Sequence, residues 1–169
     1  MSDALQLYFA YGSNMLSRRL QAPDRAPSAL ALAVASLPGH RLRFDKRGQD
    51  GSGKCDAEFS AVEQDCVHGV VYQIDPAHWP ALDRAEGLGR GYRRAMVEVR
   101  SATQSLQCLT YLATDKHPDL LPFDWYKALV LAGAEQHDLP LDYRRWLHEV
   151  PCLADPDRAR HALNMTLLE

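Results

Sequence analysis

A glycine, a hydroxyl and an amide stand in a row in "YGSN", residues 11–14, directly after an alternating apolar run. A Gly-Ser-Asn turn between a strand and a helix leaves several backbone N–H groups pointing outward together, at the positive end of a helix dipole. Such a nest suits an anion, a carboxylate for example. Gly12 lets a ligand approach closely, because no side chain intervenes. The same residues also make an ordinary strand-to-helix turn in which Ser13 or Asn14 is the cap. A nucleophile elbow is not available, since G-x-S-x-G is absent.

Glu86 is the second candidate, in "HWPALDRAEGLGRGY". If residues 79–86 are helical, Trp79, Leu82 and Glu86 share one face, and Glu86 points where the apolar residues point. An inward carboxylate is costly unless it is paired or neutral, and burial moves such groups toward the range useful for acid–base work. Two plainer roles stay open: a salt bridge to Arg93 or Arg94, or a solvent-facing position beside Gly87.

Gly48 to Lys54, "GQDGSGK", fits the G-x4-G-K core of a phosphate-binding loop. The next residue is Cys55, where that motif needs Ser or Thr for magnesium. The following "DAEFSAV" reads as a strand, so no helix N-terminus would hold a phosphate. A polar loop overhanging a pocket is the better reading. Cys55, Cys66, Cys108 and Cys152 are widely spaced and form no CxxC pair, so they read as reduced packing residues rather than zinc ligands. The seven histidines are scattered. The sequence reading therefore includes no metal and no cofactor.

These groups need elements to hold them. From Leu5 to Tyr11 the apolar residues alternate, with Leu5, Leu7, Phe9 and Tyr11 on one face and Gln6, Tyr8 and Ala10 on the other, hence a strand. A short helix through Arg19 follows the turn. "ALALAVASL" (29–37) and "HRLRF" (40–44) read as strands about Pro38-Gly39, and residues 45–54 as a loop. Strands resume at 56–62 and 67–74. Asp75-Pro76 opens a helical turn, 80–86 is a helix, and Gly87 ends it. Strands at 92–100 and 105–113 precede a helical last third. There Phe123, Tyr126, Val130 and Gly133 or Ala134 share a face, and so do Tyr143, Trp146, Leu147 and Val150. Asp155-Pro156 opens a last short helix.

With 169 residues, 46% of them hydrophobic, the chain suits one domain, 1–169. The expected fold class is α+β: a mixed, barrel-like β-sheet with helices packed around it. A net charge of −3 spread along the chain gives no nucleic-acid footprint. No apolar run approaches the roughly 20 residues of a membrane span. "MSDALQLYF" lacks the basic region and cleavage site of a signal peptide, so a cytoplasmic location is expected.

"YFAYGSNM", "LDRAEG" followed by "GY", and "YLA…WYKALVLAGAEQHDLPLDYRRWL" resemble the γ-glutamylcyclotransferase superfamily, which includes the AIG2-like proteins. The resemblance runs from about residue 7 to about residue 151. It implies a small β-barrel with a cavity beside the YGSN turn. It also implies metal-independent cyclisation of a γ-glutamyl amide to 5-oxoproline, with release of an amine or amino acid. Carried over, Tyr8, Phe9, Ala10, Tyr11, Gly12, Ser13 and Asn14 would line the substrate, and Glu86 would be the proton acceptor. Tyr126 matches a family tyrosine that contacts substrate, and Tyr92 and Tyr111 match pocket aromatics more loosely. The implied partner is a small γ-glutamyl substrate, and a homodimer is left open. "GKCDAEF" differs from the glycine-rich segment of animal members, a departure that bears on the donor rather than the reaction. The rival readings are a γ-glutamylamine or biosynthetic deprotecting activity, and a non-catalytic binding or stress-response module of the same fold.

Overall fold

The alternating N-terminal run forms strand β1 (Gln6–Ala10), which lies against two strands from distant parts of the chain. The structure is a computed structural model describing residues 5–169. Residues 1–4, part of the single-domain and signal-peptide readings, lie outside the described residues. After β1 come a 3-10 turn (Ser13–Met15), helix α1 (Ser17–Leu20), and strands β2 (Leu30–Pro38), β3 (His40–Arg47), β4 (Gly53–Phe59) and β5 (Cys66–Ile74). Helix α2 (Trp79–Glu86), strands β6 (Tyr92–Ser101) and β7 (Ser105–Ala113), and helices α3 (Asp124–Gln136), α4 (Leu141–Glu149) and α5 (Arg158–Met165) complete the order.

Five strands close a barrel in the order β1-β5-β2-β6-β7. Neighbours are antiparallel except at the seam, where β1 runs parallel to β7 with Tyr8 opposite Leu109. Thr110 Oγ1 donates to Phe9 O (2.7 Å) and reinforces that seam. Closure removes the exposed edges that an open five-stranded sheet would carry. Gly69 of β5 allows the tight spot beside β1, since a Cβ there would lie 2.4 Å from Ala10 O. The fold class is α+β with a closed barrel, as expected. Among the described residues no helix is long and apolar enough to cross a membrane.

Several local readings need correction. Residues 45–47 and 53–54 are strand rather than loop, because β3 and β4 pair as a two-stranded ribbon through Lys46↔Lys54 and Arg47↔Gly53. Only 48–52 remain as a turn. Neither Ser13 nor Asn14 caps a helix with its side chain. Asp155 does not cap α5; Asp157 does, accepting from Arg160 N–H (3.0 Å), while Asp155 is buried beneath the helix. Cys55 and Cys108 are buried as packing residues, but Cys66 is only half-buried and Cys152 is exposed.

Two end signals behave as their chemistry dictates. The Asp75 carboxylate accepts from Ala77 N–H (2.9 Å), with Pro76 behind it. Gly87 ends α2 at φ 69°, with its N–H on Arg84 O and Leu88 N–H on Asp83 O. That is a Schellman ending, and it holds Glu86 in the last turn with its side chain facing the barrel mouth.

Candidate active site

The chain leaves β1 at Ala10 and turns sharply at Gly12. The first bonds of the 3-10 turn are Met15 N–H to Gly12 O (3.1 Å) and Leu16 N–H to Ser13 O (3.2 Å). The amides of Gly12, Ser13 and Asn14 precede these donors and have no partner among the described residues. Helix α3 backs the turn. A Cβ on Gly133 would lie 2.6 Å from Leu16 N and 2.7 Å from Met15 Cβ, so only glycine lets the helix come this close.

The Asn14 side chain turns inward, away from any cap. Its Nδ2 donates to Glu86 Oε1 (2.6 Å) and lies 3.1 Å from the Tyr8 hydroxyl. Arg25 Nη1 donates both to Asn14 Oδ1 (3.1 Å) and to Glu86 Oε1 (3.2 Å). The inward carboxylate expected on α2 is therefore present, but its cation is Arg25, not Arg93 or Arg94. Arg94 instead pairs with Asp83, which also accepts from the Tyr111 hydroxyl (2.7 Å). The Arg25–Glu86 side chains are 14% and 17% exposed, a partly buried pair that shields an otherwise costly carboxylate.

A small cavity of about 30 Å³ lies between the turn and α2. Of the expected site residues, Tyr8, Tyr11, Gly12, Ser13, Asn14, Glu86, Tyr92 and Tyr126 line it, as does Tyr111. Phe9 and Ala10 do not: both are fully buried away from it. Cys55 completes the wall. Its N–H donates to the Tyr126 hydroxyl (3.0 Å), and its carbonyl accepts from the Tyr92 hydroxyl. The Tyr11 hydroxyl donates to Tyr111 O across the barrel mouth.

Electrostatically the wall is neutral apart from Glu86. Burial pushes the hydroxyls of Tyr8, Tyr11, Tyr92, Tyr111 and Tyr126 well above the usual phenol range, so they stay protonated. Burial likewise pushes the Cys55 thiol up to about 12, which excludes a ready thiolate nucleophile. Glu86 is the only carboxylate among the ten lining residues. The arrangement offers one carboxylate for proton transfer beside a set of unpartnered backbone donors.

Ser13, Glu86, Tyr92 and Tyr126 also line a wider outer cleft of about 220 Å³. Residues of the 48–54 segment, including Asp50 and Lys54, form part of its wall. There Lys54 Nζ pairs with Asp50 (2.9 Å), and Asp50 accepts from Ser52 N–H and its hydroxyl. The turn leads into β4 rather than a helix. Arg25 and Cys55 carry no motif signal in the sequence; only their tertiary placement brings them here. Among the described residues no group of three His, Cys, Asp or Glu is arranged to hold a metal.

A family model described as the AIG2-like family matches residues 66–147. Over 150 residues the chain is 33% identical to a γ-glutamylcyclotransferase of Homo sapiens, covering 85% of this chain and 78% of that one. It is 32% identical over 151 residues to the γ-glutamylcyclotransferase of Bos taurus, with coverage of 85% and 78%. A solved structure named γ-glutamyl cyclotransferase superposes with a TM-score of 0.80 at 30% identity, covering 88% of this chain and 89% of that one.

Proposed function

Because this chain belongs to the γ-glutamylcyclotransferase family, we propose that it converts a γ-glutamyl amide to 5-oxoproline with release of the amine. The substrate carries its own nucleophile, the α-amine, which can reach the γ-carbonyl and close a five-membered ring. The protein's task is to hold the chain folded, and orienting such an intramolecular attack is worth about 7–11 kcal/mol at the upper end.

In this reading the Glu86 carboxylate accepts a proton from the substrate ammonium, and the freed amine attacks the γ-carbonyl. The ring nitrogen of the tetrahedral intermediate then gives up its second proton, again through Glu86, and both protons end on the departing nitrogen, which leaves as an ammonium as the C–N bond breaks and the ring keeps the carbonyl. Amides of the 12–14 turn hold the substrate carboxylate or the developing oxyanion, and the hydroxyls of Tyr8 and Tyr126, which accept from Asn14 and the Cys55 N–H, keep their own hydrogens to donate. No metal takes part, so a chelator leaves turnover unchanged.

The observation that carries the reading is the convergence of Glu86 Oε1 on Asn14 Nδ2 (2.6 Å), beside turn amides without partners, in one cavity. The test is 5-oxoproline release from γ-glutamyl-amino acids and γ-glutamylamines, with wild type and Glu86→Gln side by side. Glutamine keeps the size and an acceptor for Asn14 but loses the base, so kcat falls by about 10²–10⁴-fold in a folded variant. Turnover within a factor of about three of wild type would contradict a base role of that size.

A further inference from the structure

We infer that Lys46 is the specificity-determining cation of the outer cleft, and that it binds the α-carboxylate of an amino-acid leaving group. The inference rests on the cyclotransferase reading and concerns which donors it favours. Five cations line the cleft (Arg19, Arg25, Lys46, Lys54 and Arg90) against two carboxylates, Asp50 and Glu86. Both carboxylates are already taken, Asp50 by Lys54 (2.9 Å) and Glu86 by Arg25 (3.2 Å). The cleft is thus left with an excess of positive charge that its own walls do not balance.

Within that excess Lys46 stands apart. It is only 6% exposed, and among the described residues its ammonium has no ion pair and no hydrogen-bond acceptor. Its Nζ lies over the face of Tyr92, 4.4 Å from the ring centroid. Most of the Lys46 side chain is packed away while the residue lines the cleft, so its ammonium is open to an anion that enters there. Space is kept for the side chain by Gly91, where a Cβ would lie 2.7 Å from Lys46 Cε and 3.0 Å from Nζ. Burial lowers the Lys46 pKa, while Glu86, Asp115 and Asp50 act in the opposite sense.

Position decides which anion fits. Gly12, Ser13 and Asn14 of the turn line the inner cavity beside Glu86, so the ring-closing end of a donor is directed toward it. Glu86 and Tyr92 stand in the wall common to both spaces. The departing amine therefore lies toward the outer cleft, and a carboxylate attached to it reaches the unpaired ammonium. A γ-glutamylamine offers that ammonium nothing.

γ-Glutamylalanine and γ-glutamylethylamide differ only by the carboxylate on the leaving amine, and the experiment measures kcat and KM for 5-oxoproline release from each. Wild type is expected to prefer the alanine donor by more than about tenfold in kcat/KM, as one charge-assisted contact allows. In Lys46→Met the ratio of the two kcat/KM values falls by about 10–100-fold, mostly through KM, and Lys46→Arg restores part of it. Equal kcat/KM for the two donors in wild type overturns the inference without recourse to any variant. So does a ratio that Lys46→Met leaves unchanged, which is the result if Lys46 serves the glutamyl end common to both donors or is merely structural. No 5-oxoproline from either donor overturns the cyclotransferase reading itself, and the assignment of Lys46 with it.

Discussion

Tyr126 shows how a single side chain serves both the stability and the shape of the site. Its hydroxyl accepts the Cys55 N–H (3.0 Å), and a Cβ on Gly12 would lie 3.2 Å from the same oxygen. The phenol thus fixes the wall opposite the turn and satisfies a buried backbone donor of β4. Tyr126→Phe keeps the ring and orphans that donor. The expected cost is about 1–3 kcal/mol of unfolding free energy, read as a lower urea midpoint with an unchanged m-value. A midpoint identical to wild type would mean that the Cys55 amide finds another acceptor. Asn14 makes a related choice. Its residue type suits a helix cap, yet its amide goes to Glu86, since a carboxylate without partners beneath the surface costs more than a turn left uncapped.

Helices α3 and α5 meet at a network centred on Asp155. The carboxylate accepts from Arg160 Nε (2.6 Å) and Nη2 (2.6 Å), from Trp125 Nε1 (2.8 Å), and from Asp157 N–H (2.8 Å). The Arg160 guanidinium, with the Asp157 amide and the Trp125 indole, holds the carboxyl well below the usual range. Because the folded pKa is depressed, the stabilisation is present above the unfolded value of about 3.9 and is lost as pH falls toward the folded one. Asp155→Asn should therefore lower Tm at pH 7, and the gap to wild type should narrow as the pH drops below about 3.9. A gap that stays constant down to pH about 2 would show that the charge contributes nothing there. The network matters for the site because Trp125 belongs to α3, the helix that also carries Tyr126 and backs the 11–14 turn through Gly133.

At the scale of the molecule, the site exists because the barrel closes. β1 is fixed between β5 and β7, and the Tyr11 hydroxyl reaches Tyr111 O, a hundred residues along the chain. One hydrophobic core runs from Tyr8 through Tyr72 and Leu82 to Leu129 and Leu147, joining barrel and helices. We propose on this basis that the described residues, 5–169, fold as one cooperative unit. Unfolding by urea should then give coincident curves from far-UV circular dichroism and from the fluorescence of Trp79, Trp125 and Trp146. These report from α2, α3 and α4. Separate transitions would mean that the β3–β4 ribbon or the C-terminal helices form a unit of their own.

What the sequence determined by itself was local and periodic. The alternation of β1, the strand pair β6–β7, the buried face of α3, the Asp75-Pro76 start and the Gly87 stop all follow from interactions between near neighbours in the chain. So does the inward direction of Glu86, set by its spacing from Trp79 and Leu82 on one helix face. The "YGSN" turn beside it was likewise readable, as a set of amides without partners. Tertiary structure decided which groups meet. Arg25 and Glu86 are 61 residues apart, and Cys55 and Tyr126 are 71 apart. No local pattern encodes the barrel order or the ribbon register that brings them together. Lys46 is the clearest case: it lies in the stretch 45–54, read from the sequence as a loop, and only the pairing of β3 with β4 and its packing against Tyr92 place it beside the cleft. Local propensities depend on chain neighbours, whereas burial and charge pairing depend on which surfaces the closed barrel excludes from water.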